Sequence, residues 1–170
     1  MTERDVAVAA LASRLDEALE CQRRLLALVG EQRPAIAAGR HAQVEEIAGL
    51  IEVEVRRLAS VEQARSAAAE ALADALGLAA TRWSVLREGL DPAEREMLAP
   101  RVQAVEAVVR DLELANAVNG QLVRQELDLV DMSVRSLAAR DRNPAHRAYT
   151  AGGAVAATPA SGPLMLNTAA

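Results

Sequence analysis

The chain has 170 residues, a length that sets an expectation of one domain, and 51% of them are hydrophobic, yet there is no Phe, one Trp and one Tyr. Aromatic side chains carry much of the buried area of a compact core, so this composition argues against a thick globular centre and for thin Ala/Leu/Val seams between helices. The net charge is −5 and every basic residue is Arg, with no basic patch interleaved with aromatics, so neither DNA nor RNA is expected as a partner.

Thr2 followed by Asp5 reads as a helix start, a hydroxyl cap with an acid in the first turn. Apolar residues then recur at Val8, Leu11, Leu15, Ala18, Leu25 and Val29, with Gln22 in the one polar slot of a 3/4 spacing and Leu19 and Leu26 beside the stripe. Gly30 and Pro34 are expected to end this first helix, which spans about residues 3–30. Cys21 falls inside the pattern, where a buried thiol is expected rather than a redox centre.

A turn with Pro34 and Gly39 leads to a second helix, about 41–77, whose stripe runs Val44, Ile47, Ile51, Leu58, Val61, Ala68, Leu72 and Leu76. Glu54 and Arg65 interrupt it where the count predicts apolar residues, and Gly77 is expected to close it. A short helix, about 81–90, carries Trp83 and Leu86. Asp91-Pro92 with Glu94 is a fresh start, with Asp as cap, Pro in the first helical position and an acid behind it.

The last helix, about 92–140, has Pro100 as a place to kink or restart, and from Arg101 onward it could extend about 60 Å at about 1.5 Å per residue. Its stripe reads Leu98, Val102, Val105, Val109, Leu112, Asn116, Asn119, Val123, Leu127, Val130, Val134 and Leu137, with a stutter around Val123. Two amides at successive seam positions allow two readings. They set register inside the bundle, or the stretch presents Asn116, Asn119, Val123, Leu127 and Val130 to a partner helix. Beyond Asp141 the residues turn Gly-, Ala-, Thr-, Ser- and Pro-rich, a flexible tail over 141–170 beside a helical domain over 1–140. The tail carries the apolar knot Leu164-Met165-Leu166, either a docking element or an incidental apolar end.

The fold class expected is therefore all-α, an elongated antiparallel helical bundle or coiled coil with a disordered C-terminal tail. No constellation for catalysis assembles. His41 and Glu45 lie one turn apart without a second pair, and the glycines never gather into a phosphate loop. The expectation is a non-enzyme with no cofactor and no metal. No signal peptide and no membrane span is evident, so the cytoplasm is the expected compartment.

Several features together carry a resemblance. The second helix bears Arg65 and runs into Leu76-Gly77-Leu78. The last contains Asn116-Ala117-Val118-Asn119-Gly120-Gln121-Leu122-Val123. Tyr149-Thr150-Ala151-Gly152-Gly153 follows, then a low-complexity stretch reaching Leu166-Asn167. In this order and spacing the chain resembles the FlgN-like flagellar export chaperones over nearly its whole length. The resemblance implies a cytoplasmic type III export chaperone whose clients are the hook-associated (hook–filament junction) proteins. It would hold their C-terminal helical regions, prevent premature assembly and deliver them to the export gate and its ATPase complex. It places client binding on Asn116, Asn119, Leu122, Val123, Leu127, Val130, Val134 and Leu137, and export-gate docking on Tyr149. A self-associating coiled-coil protein or a phasin-like surface coat is the alternative that composition and periodicity leave open.

Overall fold

The computed structural model describes residues 2–141, and among them the secondary structure is four α-helices: α1 (Glu3–Ala37), α2 (His41–Ala75), α3 (Trp83–Gly89) and α4 (Pro92–Asp141). The 141–170 tail, with Tyr149 and Leu164-Met165-Leu166, lies outside the described residues apart from Asp141 itself. The chain divides into two units, Met1–Leu127 and Asp128–Ala170.

Local chemistry fixes the helix ends. Thr2 and Asp5 form a reciprocal capping box: Thr2 Oγ1 accepts from the Asp5 amide at 3.2 Å and the Thr2 amide donates to Asp5 Oδ2 at 2.6 Å. Hydrogen bonding from Thr2, its backbone amide first and its side chain second, holds the Asp5 carboxyl below its ordinary range. Asp91 and Glu94 repeat the device at α4, with the Glu94 amide donating to Asp91 Oδ1 at 2.9 Å and the Asp91 amide to Glu94 Oε2 at 2.8 Å. Both α1 and α2 end in a 6→1, 5→2 hydrogen-bond pair closed by a left-handed glycine, Gly39 at φ 62° and Gly77 at φ 68°.

The first helix does not stop at Gly30 or Pro34. It runs to Ala37 with Pro34 inside it. A proline near a helix end removes a single amide donor. Burial of Ala35 and Ile36 holds the last turn in place, so the chain turns only at Gly39. Pro100 likewise lies inside α4 without restarting it.

Within the first unit, α1 is the central element. Val8, Leu11, Leu15, Ala18, Gln22, Leu25 and Val29, the whole of its expected stripe, are buried. Helix α2 pairs closely with it, with Cα–Cα approaches of 8 Å or less, a spacing that the alanines on both helices permit. The beginning of α1, the end of α2, α3 and the beginning of α4 share one core, in which Leu72, Leu90 and Leu98 are almost completely buried. Helix α2 therefore runs antiparallel to α1. Ion pairs and hydrogen bonds between Arg4 and Glu94, between Asp16 and Arg101, and between Val29 and Asn119 show that α4 runs parallel to α1.

Candidate functional site

The seam of α4 mixes large aliphatic side chains with Arg101, Ala115 and Asn119. Leu98, Arg101, Val105, Val108, Leu112, Ala115, Asn119 and Leu122 are buried or half-buried, in alternating steps of three and four with no stutter. Up to Asn119 the expected stripe is buried or half-buried, Val102 and Val109 included, except at Asn116, whose place is taken by the buried Ala115. An alanine at a seam carries little hydrophobic signal, so its register is set by how closely the backbones approach.

The two asparagines are thereby separated. Asn116 is exposed, not a seam residue. Asn119 is buried, 5% exposed. Its Nδ2 donates to the Val29 carbonyl at 2.8 Å and to Gln32 Oε1 at 3.4 Å, while Arg33 Nε donates to its Oδ1 at 3.2 Å. Both ends of the amide are thus engaged by the last turns of α1. This satisfies the cost of burial and fixes the register of α4 on α1, so Asn119 faces its own chain.

The remaining predicted site residues stand differently. Leu122 is half-buried. In the first unit Val123 and Leu127 are exposed, to 43% and 62%. In the second unit Val130, Val134 and Leu137 are exposed to between 58% and 60%, and Leu129 and Met132 are exposed beside them. Every residue from Leu127 to Ala139 is exposed. A step of four relates Val123 to Leu127 in the first unit, and steps of four and three put Val130, Val134 and Leu137 on one helix face in the second, all of them apolar side chains open to water. Soluble chains seldom leave such stripes uncovered unless a partner covers them.

The first unit holds a second feature that the sequence reading did not identify. A cavity of about 340 Å³ opens between α2 and α4, floored by Leu11, Leu15 and Gln22 of α1 and ended by Trp83. Val102, Val105, Glu106 and Val109 line it from α4, and Glu62, Arg65 and Ala69 from α2. The two polar interruptions of the α2 stripe now have places. Arg65 lines this cavity and donates to Glu62 at 2.8 Å. Glu54 is half-buried, and burial followed by a hydrogen bond to Glu54 pushes the Cys21 thiol up from its ordinary pKa. Gln22 is 6% exposed and its Oε1 meets no hydrogen-bond partner.

The end of the bundle away from the Asn119 layer is tied by Arg4. Its guanidinium pairs with the Glu94 carboxylate and donates to the Gly89 carbonyl at 3.2 Å. The bond from Arg4, and to a lesser degree the Asp91 amide, holds the Glu94 carboxyl below its usual range. Among the described residues no His/Cys/Asp/Glu group could hold a metal ion, and no helix is long and apolar enough to cross a membrane.

Helices packed through thin seams around a central α1 define an all-helical module. The chain belongs to the FlgN protein family, whose model matches residues 1–157. Family membership implies a flagellar export chaperone that binds flagellar client proteins, and the family is non-enzymatic and its chaperones are soluble proteins of the cytoplasm. No match was found among curated proteins or among solved structures.

Proposed function

We propose that this chaperone works in the cytoplasm and binds the C-terminal helical region of hook-associated, hook–filament junction proteins along the exposed stripe of α4. It keeps these clients from assembling early and delivers them to the export gate and its ATPase complex. The observation that carries the reading is the exposed apolar spacing of α4, Val123 and Leu127 in the first unit and Val130, Val134 and Leu137 in the second. A client helix laid on these side chains would contact them at the spacing helix-on-helix recognition uses. Asn116 stands before the stripe, Leu122 belongs to the half-buried seam beside it, and Asn119 acts from behind by holding α4 in register. Tyr149 falls within the matched residues 1–157, and the resemblance assigns it to docking at the export gate.

The test is co-purification of the full chain with the C-terminal helical region of its own organism's hook-associated proteins. Val123→Asp and Val130→Asp are expected to abolish capture. Their melting temperatures should stay near the parent's, because both side chains are already in water. Undiminished capture by either variant would remove the stripe from the mechanism. Tyr149→Ala should retain the client and lose the export gate.

A further inference from the structure

The groove between α2 and α4 shares no residue with the stripe proposed for the client, and it combines three features that point to an occupant. The first is shape. Its walls belong to two antiparallel helices and its floor to α1, with Leu15, Val102 and Val105 supplying apolar surface to a volume of about 340 Å³. That is at the low end of the ~300–1,000 Å³ typical of ligand sites, and it suits side chains projecting from one face of a further helix laid over the trench.

The second is an unmet acceptor. Gln22 is 6% exposed, lines the groove and leaves Oε1 without a partner. Buried amide oxygens are normally bonded, so an occupant that draws the Gln22 amide round into the groove and supplies a hydroxyl or amide donor would recover a bond the free chain lacks. The third is charge. On the α2 wall Glu62 is neutralised by Arg65, with an N–O distance of 2.7 Å. On the α4 wall Glu106 is exposed and makes no ion pair among the described residues. The rim therefore offers one open carboxylate, on a chain of net charge −5.

We propose that this groove docks an amphipathic helix of another protein, one presenting aliphatic side chains with a Ser, Thr, Asn or Gln among them and an Arg or Lys on the flank facing Glu106. The donor meets Gln22 and the cation meets Glu106. The acidity of the chain as a whole favours a basic-flanked partner over a second copy of itself.

Trp83, the only tryptophan, stands at the end of the groove and reports its occupancy. The probe is a synthetic helical peptide with a Leu/Val face, one Ser within it and Arg on the flank, titrated into the full chain. Two control peptides carry Glu in place of the Arg, or Leu in place of the Ser. The Arg/Ser peptide is expected to shift Trp83 emission to the blue with one-to-one saturation. Glu106→Arg should weaken that peptide roughly threefold to tenfold, the range of exposed ion pairs gained and reversed, and should tighten the Glu peptide. Gln22→Met should erase the preference for Ser over Leu. Val130→Asp should leave the response unchanged, which separates this groove from the client stripe. A folded chain whose Trp83 emission does not move would overturn the proposal, as would binding indifferent to the sign of the flank charge. So would a peptide-free shift that tracks a dimer mass, which would assign the groove to a second copy.

Discussion

Replacing Gln22 by Met should make the protein more stable, contrary to the usual outcome of altering a fully buried position. Gln22 is 6% exposed, and its Oε1 has lost water without gaining a donor. A buried acceptor left unmade costs about 1–3 kcal/mol. Met has a similar length and flexibility, and shape-conserving changes of this kind cost less than about 1.5 kcal/mol. Its buried neighbours one turn away on α1, Ala18 and Leu25, are apolar, so the thioether meets apolar side chains there. The expected balance is a gain of about 1 kcal/mol, or a melting temperature higher by ~3–5 °C for a folded unit of this size. Urea unfolding followed by helical circular dichroism should show a higher midpoint at unchanged slope, the signature of altered stability without altered compactness. A loss of about 1 kcal/mol or more would mean that the Gln22 oxygen is already satisfied. The argument for an occupant that donates to it would then fail as well.

The satisfied amide behaves in the opposite sense. Asn119→Ala removes the bonds to Val29, Gln32 and Arg33 and should cost about 2 kcal/mol in the same urea assay, whereas Asn116→Ala, at an exposed position, should stay within about 0.5 kcal/mol. Leu98→Ala empties a site with no exposure and should cost about 3 kcal/mol, seen as a lower urea midpoint. Glu94→Gln should destabilise at neutral pH, because the native carboxylate is held below its ordinary range by Arg4. That contribution is fully present above the unfolded carboxylate pKa of ~4.3 and fades as pH falls through the lower native value. The gap in melting temperature between parent and variant should therefore narrow on acidification.

The sequence was most legible where apolar side chains were large and the periodicity unbroken. The α1 stripe from Val8 to Val29 is buried residue for residue, including its polar slot at Gln22. The capping pairs Thr2/Asp5 and Asp91/Glu94 and the closure at Gly77 depend on neighbours only three or four positions away, so they too could be read locally. The end of α1 was misread because Pro34 was weighed as a breaker without the burial of Ala35 and Ile36, which is a tertiary fact. The α4 stripe missed at Ala115 because alanine at a close seam is indistinguishable in pattern from alanine on a surface, so the exposed Asn116 stood in its place. The groove was invisible for a different reason. Its floor, walls and end come from four separate elements, and no spacing within any one of them signals that α2 and α4 leave a gap over α1.

The scale of the exposed stripe bears on how a carrier could release its load. Fully burying a Val or Leu side chain stabilises by roughly 1.5–3 kcal/mol. Val123, Leu127, Val130, Val134 and Leu137 retain about half of their surface to bury. Covering all five would therefore yield roughly 4–7 kcal/mol gross, comparable with the lower part of the 4–15 kcal/mol lost in translational and rotational freedom on association. The stripe alone thus supports a weak complex, and affinity has to come from polar contacts such as those near Asn116 and from order the client helix gains when it is held. A binding surface of this kind dissociates readily, because no single contact is deeply buried. It suits a protein that must hold a helix and then surrender it. A stronger stripe, with aromatic anchors in place of Val and Leu, would bind more tightly and release more slowly. The absence of Phe from the entire chain, which at first reads only as a limit on core thickness, is consistent with that requirement.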